Sequence, residues 1–131
     1  MNASSQAHEG PRLAIVISHP IQYYSPWFRW LRVHTSLTFR VFYLSDFGLK
    51  PAHDEKFKTT FVWDVDLTNG YDWELVPNTA RVPDTLRFDG LRNPTLPARL
   101  RAWRADAILL FGYNYHTHLR LIARARAMRR R

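Results

Sequence analysis

The chain alternates short unbroken apolar runs with amphipathic stretches, and this alternation is its strongest signal. Leu13, Ala14, Ile15, Val16 and Ile17 follow one another with no polar interruption, the pattern of a strand covered on both faces of a parallel sheet. His19 and Pro20 end the run. Ser25-Pro26 restarts the chain as a helix over 25–34, with a hydroxyl at the expected N-cap and proline at the first helical position. On that helix Tyr24, Trp27, Phe28 and Leu31 share one arc, with Trp30 at its edge and Arg29 and Arg32 opposite. The arc is expected to pack on the sheet. Tryptophan and arginine on an amphipathic helix also suit a membrane surface.

A second strand fits Leu37–Leu44, rich in aromatic and β-branched residues. Residues 45–60 are polar, carry Gly48 and Pro51, and read as a long loop with little regular structure. Thr59–Val65 reads as a short strand, Asn69-Gly70 as a turn, and Trp73–Val76 as a third strand of the main sheet. Pro77 through Asn93 is again loop. Asn93-Pro94 opens a helix by the same cap logic, with Leu96, Leu100 and Trp103 on its apolar stripe and Arg99, Arg101 and Arg104 outside. Asp106–Phe111 is another buried strand ended by Gly112, and His118–Arg131 a closing helix. Strands alternating with helices imply a parallel sheet built from right-handed crossovers. The apolar runs at 13–17 and 107–111 are expected to be central and adjacent in it.

Composition narrows this picture. A chain of 131 residues, 46% apolar and 15% aromatic, is one folded domain at most. The absence of cysteine excludes a disulfide framework and a thiolate metal site, and favours the cytoplasm. No apolar run approaches the ~18 residues of a membrane span. The opening MNASSQAHEGP lacks the layout of a signal peptide, so residues 1–11 read as a disordered polar tail ahead of a domain over 12–131. Charge is lopsided: residues 1–90 hold nine basic and ten acidic side chains, whereas residues 91–131 hold ten arginines against Asp106 alone. Such a basic half is either the solvated faces of two helices or a surface for nucleic acid or another anion.

In an open α/β sheet, ligands bind beyond the carboxyl ends of the strands. Three such segments carry chemistry here. The first holds His19, Gln22, Tyr23 and Tyr24, the second Asp46, and the third Tyr113, Asn114, Tyr115 and His116. An imidazole titrates near neutral pH and suits a general base, although His19 also reads as a hydrogen-bonding cap of its strand. Asp46 is placed to hold an acceptor hydroxyl or orient His19, or else to form an Asx-type turn before Gly48. Tyr113, Asn114 and Tyr115 read as a sugar-stacking wall or as an amphipathic loop over the sheet edge. His116 and His118, with no nearby carboxylate, make a poor zinc set, so no metal is assigned. The chain has no GxGxxG, GxxxxGK[ST] or GxSxG segment and signals no cofactor.

The segment SHPIQYYSPWFRWL, followed by VFYLSDFG, then FVWDVDLTNGYDWELVPN and FDGLRNPTLPARLRAWRADAILLFGYNYHTH, resembles the amino-terminal, acceptor-side domain of a GT-B glycosyltransferase, family 4-like. The resemblance runs from about Arg12 to the last helix. It implies a Rossmann-like three-layer α/β fold with a parallel sheet, the incomplete amino-terminal half of a GT-B enzyme. The complete relative would move a sugar from a nucleotide-sugar donor to a glycan or lipid-linked acceptor. His19 stands where some inverting GT-B enzymes carry a base. Gln22, Tyr23, Tyr24, Asp46, Tyr113, Asn114, Tyr115 and His116 would then contact the acceptor. Family 4-like members often carry an HxH-like segment at the end of the fourth strand, where this chain has Phe111, with His116 and His118 later. The acidic motif that holds the donor belongs to a second domain, so the chain is expected to be a truncated piece, inactive alone and binding a donor only with that domain. A cytoplasmic location with peripheral contact at the inner membrane would follow. The alternative is a small basic α/β module for nucleic acid or an anionic surface, with nucleic acid the less favoured partner.

Overall fold

The computed structural model describes residues 10–49, 52–54, 59–61 and 67–129, with side chains over 10–49 and 67–126. Six strands, β1 (Arg12–Ile17), β2 (Thr38–Tyr43), β3 (Ala52–Asp54), β4 (Thr59–Phe61), β5 (Trp73–Leu75) and β6 (Ala107–Leu110), are joined by α1 (Ser25–His34), α2 (Leu96–Trp103) and α3 (His116–Arg129). Four of the strands form one all-parallel sheet in the order β5-β2-β1-β6. This is a Rossmann-like α/β arrangement, in which the connection after β1 runs to one side and the connection after β5 crosses to the other. The sheet therefore has its topological switch point between β1 and β6.

Register explains why the apolar runs lack alternation. Ala14 and Val16 of β1 face one core with Phe42, Leu44, Val76, Leu96, Leu100, Trp103 and Leu121. Ile15 and Ile17 face the other, with Phe28, Phe39, Val41, Tyr43 and Tyr71. So α1 covers one face of the sheet, and α2 with α3 covers the other. The stripe of Leu96, Leu100 and Trp103 is buried as its spacing predicts.

Several local expectations are corrected. The strand at 107–110 is adjacent and parallel to β1 but not central: it is the sheet edge among the described residues, and Ile108 and Leu109 are 38% and 39% exposed. Ser25 does not cap α1, whose N-cap is Tyr24 without a side-chain bond. Its buried hydroxyl instead donates to the Leu67 carbonyl at 2.8 Å, tying α1 to a distant loop. Asn93 likewise does not cap α2, which begins after Thr95. Trp27 and Trp30 are exposed, and Phe28 is the aromatic anchor of α1; Arg29 is drawn across Gly70 to the Asn69 carbonyl. Within the predicted loop at 45–60, β3 pairs antiparallel with β4. The remainder of the strand expected at 59–65 and most of the expected tail lie outside the described residues. Among the described residues, no helix is long and apolar enough to cross a membrane.

Candidate functional site at the carboxyl end of the sheet

The register of three parallel strands delivers their trailing loops to one end of the sheet. Val16 pairs with Leu110 and Ile17 with Tyr43. Beyond these pairs the Phe111 amide donates to the Val16 carbonyl and the Leu44 amide to the Ile17 and Ser18 carbonyls, at 3.0–3.1 Å. The loops opening at Ser18, Ser45 and Gly112 thus emerge side by side at the switch point.

His19 leans into this end. Its Nδ1 lies 2.8 Å from the Ser18 hydroxyl, and its ring meets the edge of Phe47 at 5.3 Å. Partial burial holds its pKa below the usual histidine value, because the charged imidazolium loses hydration. The ring is therefore neutral at pH 7. Asp46 stands in the neighbouring loop, where Ser45 Oγ accepts the Phe47 amide and the Leu49 amide donates to the Asp46 carbonyl. Tyr24 meets Phe111 edge-on at 5.0 Å, joining the β1 loop to the end of β6. Gln22 is half-buried there, and Tyr23 and Tyr113 stand out into solvent at 77% and 76% exposure.

The β6 loop divides the remaining candidates. Asn114 is exposed and folds back on Gly112, which holds φ of +100°. A Cβ at Gly112 would lie 3.1 Å from Asn114 Oδ1 and 3.4 Å from His118 Cε1, so both space and backbone favour glycine. Tyr115 is not a wall residue. It is 6% exposed, packs edge-on against His118, and donates its hydroxyl to the Thr85 carbonyl. His116 opens α3, and its ring meets that of Phe88 edge-on at 6.1 Å. Burial, then the Arg92 and Arg120 guanidiniums, lower its pKa.

Two residues central to this end play parts that sequence reasoning did not assign them. Asn93 is buried and its side-chain amide nitrogen lies 2.9–3.1 Å from the carbonyl oxygens of Leu44, Val76 and Pro77, while its Oδ1 accepts from the Thr117 hydroxyl at 2.8 Å. It fastens the ends of β2 and β5 to the first turn of α3. His118 is fully buried, and neither ring nitrogen has a hydrogen-bond partner among the described residues. Burial lowers its pKa too. In the sequence Asn93 reads as a helix cap and His118 as the start of the closing helix and half of a poor zinc pair; only the tertiary pairing distinguishes them. Among the described residues no three side chains of the metal-binding types gather. The residues present can orient a polar ligand and take a proton from it at His19.

No protein-family model, curated protein or solved structure matches this chain.

Proposed function

We propose that this chain is the acceptor-binding half of a GT-B, family 4-like glycosyltransferase, acting on a glycan or lipid-linked acceptor with a donor held by a second domain. The observation that carries this reading is His19: a neutral imidazole at the topological switch point, bonded at Nδ1 to Ser18. A base in that condition accepts the proton of an acceptor hydroxyl as its oxygen bonds to the donor sugar's anomeric carbon, while the bond from that carbon to the nucleoside diphosphate breaks and the diphosphate leaves. The projecting rings of Tyr23 and Tyr113 suit the apolar face of a pyranose. The exposed Trp27 and Trp30 on α1 suit the headgroup level of a bilayer, where amphipathic rings favour a lipid-linked acceptor. The half-exposed edge strand β6 offers a surface on which a second domain would pack in this reading.

The test is a site-resolved titration. Saccharides and a short-chain lipid-linked saccharide should shift the ring signals of His19 and Tyr113, and His19→Ala should abolish the response at position 113. The chain alone should turn over no sugar nucleotide. Micromolar binding of a uridine or guanosine diphosphate sugar that moves His19 and Tyr113 would make this the donor side and overturn the proposal. Saccharides that leave both rings unmoved would do the same.

A further inference from the structure

On the face of the sheet opposite α1, a groove of about 660 Å³ runs between α2, α3 and the segment leading into α2. Its floor is apolar, built by Pro94, Leu96, Pro97 and Leu121. Four arginines line it: Arg92 from the incoming segment, Arg101 from α2, and Arg120 and Arg124 from α3. Among the described residues no carboxylate does. The acids nearby are engaged elsewhere, Glu74 with Arg40 and Arg99, Asp89 with Arg87, and Asp106 with the Arg12 amide. None of the four groove arginines has an ion-pair partner among the described residues.

This arrangement is unfavourable without an anion. Arg120 and Arg124 follow His116 at spacings of four along one stripe of α3, so the two guanidiniums repel along the helix. Arg92 adds a further positive charge, close enough to His116 to depress its ionisation. The four arginines are individually exposed, but they come from three segments that line one concavity, and Arg92 and Arg120 both lie close enough to His116 to act on its charge. The first turn of α3, which contains no acidic side chain, also opens into it with the positive end of its dipole.

We propose that this groove binds a diphosphate-bearing small molecule, with its phosphates on Arg92, Arg101, Arg120 and Arg124 and its organic portion on the apolar floor. Guanidinium recognises phosphate oxygens in bidentate fashion, and a diphosphate balances four guanidiniums better than one phosphate does. The groove's lining includes His116 but not His19, Asp46 or Tyr113, so the inference does not rest on His19 acting as a base.

The probe is inorganic pyrophosphate, titrated calorimetrically into the full chain with orthophosphate and sulfate at matched ionic strength. Expected is saturable binding at one site, with orthophosphate about tenfold weaker, the difference one charge-assisted hydrogen bond supplies. Arg92→Gln and Arg120→Gln should each weaken binding about tenfold. Neither variant should melt below the wild type without ligand, since each removes a like-charge contact; lost binding then cannot be lost folding. His116 faces Arg92, Arg101, Arg120, Arg124 and the Phe88 ring, so bound pyrophosphate should raise its midpoint in an NMR titration. Absence of saturation, equal affinity for sulfate, or unchanged affinity in Arg120→Gln would overturn the proposal. So would a short RNA that pyrophosphate cannot displace, which would make the face a nucleic-acid surface. Displacement of pyrophosphate by uridine diphosphate would identify a soluble ligand, and displacement by phosphatidylcholine vesicles doped with a polyprenyl diphosphate a lipid headgroup. Displacement by neither would mean an adventitious ion only, and would end the inference.

Discussion

His118 places two unpartnered ring nitrogens in the core, and replacing it should stabilise the fold. A neutral imidazole carries one donor and one acceptor, and each buried group left unpaired costs about 1–3 kcal/mol. His118→Leu removes both atoms while keeping a side chain of similar bulk, so little cavity opens. It forfeits the edge contact with Tyr115 at 5.1 Å, worth about 0.5–1.5 kcal/mol. Two such groups less that contact leave a gain of about 0.5–5.5 kcal/mol at pH 7.5, or several degrees or more in Tm.

The same residue makes stability pH-dependent. In the unfolded chain the imidazole takes a proton near its ordinary value of 6.5, whereas burial lowers its folded pKa. The unfolded state therefore binds more protons between those two values. Stability is fully present above pH 6.5 and falls on acidification, by up to about 1.4 kcal/mol per pH unit for this group, until the folded pKa is passed. His19 and His116 are shifted the same way, so His118→Leu should reduce the acid loss without removing it. Urea unfolding followed by tryptophan fluorescence at pH 7.5 and 5.5 measures both effects. A variant less stable than wild type by over ~1 kcal/mol at pH 7.5 would mean that the nitrogens have partners after all. An unchanged pH difference would exclude His118 as a source of the acid sensitivity.

Three further outcomes follow from the same geometry. Asn93→Ala should cost about 2–4 kcal/mol, because it strips an amide from the carbonyls of Leu44, Val76 and Pro77, while the Thr117 hydroxyl keeps the Leu91 carbonyl as its acceptor; a loss below ~1 kcal/mol on urea denaturation would show water replacing it. Gly112→Ala should cost about 1–2 kcal/mol through its positive φ, with Asn114 and His118 displaced in NMR spectra; unmoved signals for both would count against the close approach. Glu74→Gln should cost under ~1 kcal/mol although it bridges Arg40 and Arg99, because the pairs are partly solvated; the loss should vanish in about 1 M salt, and a salt-independent loss would identify a packing role instead.

The sheet was legible in the chain because its strands are covered on both faces, and an unbroken apolar run has few other uses. Leu13–Ile17 announces β1 directly, and the stripe of Leu96, Leu100 and Trp103 announces the buried side of α2. The same rule misled at 107–111. An apolar run reports what a strand is suited to, not whether a neighbour lies beyond it, and β6 stands at the edge with Ile108 and Leu109 showing. Cap residues misled for a related reason. Ser25 and Asn93 carry the right chemistry for N-caps, but burial offers their polar groups stronger obligations: the Leu67 carbonyl for one, three strand-end carbonyls for the other.

The sites divide in the same way. That His19, Asp46 and Asn114 follow the carboxyl ends of parallel strands is a consequence of order along the chain, so sequence reasoning reaches it. That Tyr115 turns inward to Thr85 is not, because it depends on where the loop before α2 passes. The arginines are the sharpest case. Read along the chain, Arg101 belongs to the outer face of one helix and Arg120 and Arg124 to that of another, and each face alone is ordinary solvated surface. The crossover from β5 puts α2 on the same side of the sheet as α3, and two ordinary faces become the walls of one groove. Charge that is dispersed in sequence is thereby concentrated in space, and its repulsion is a cost that folding must carry until an anion relieves it.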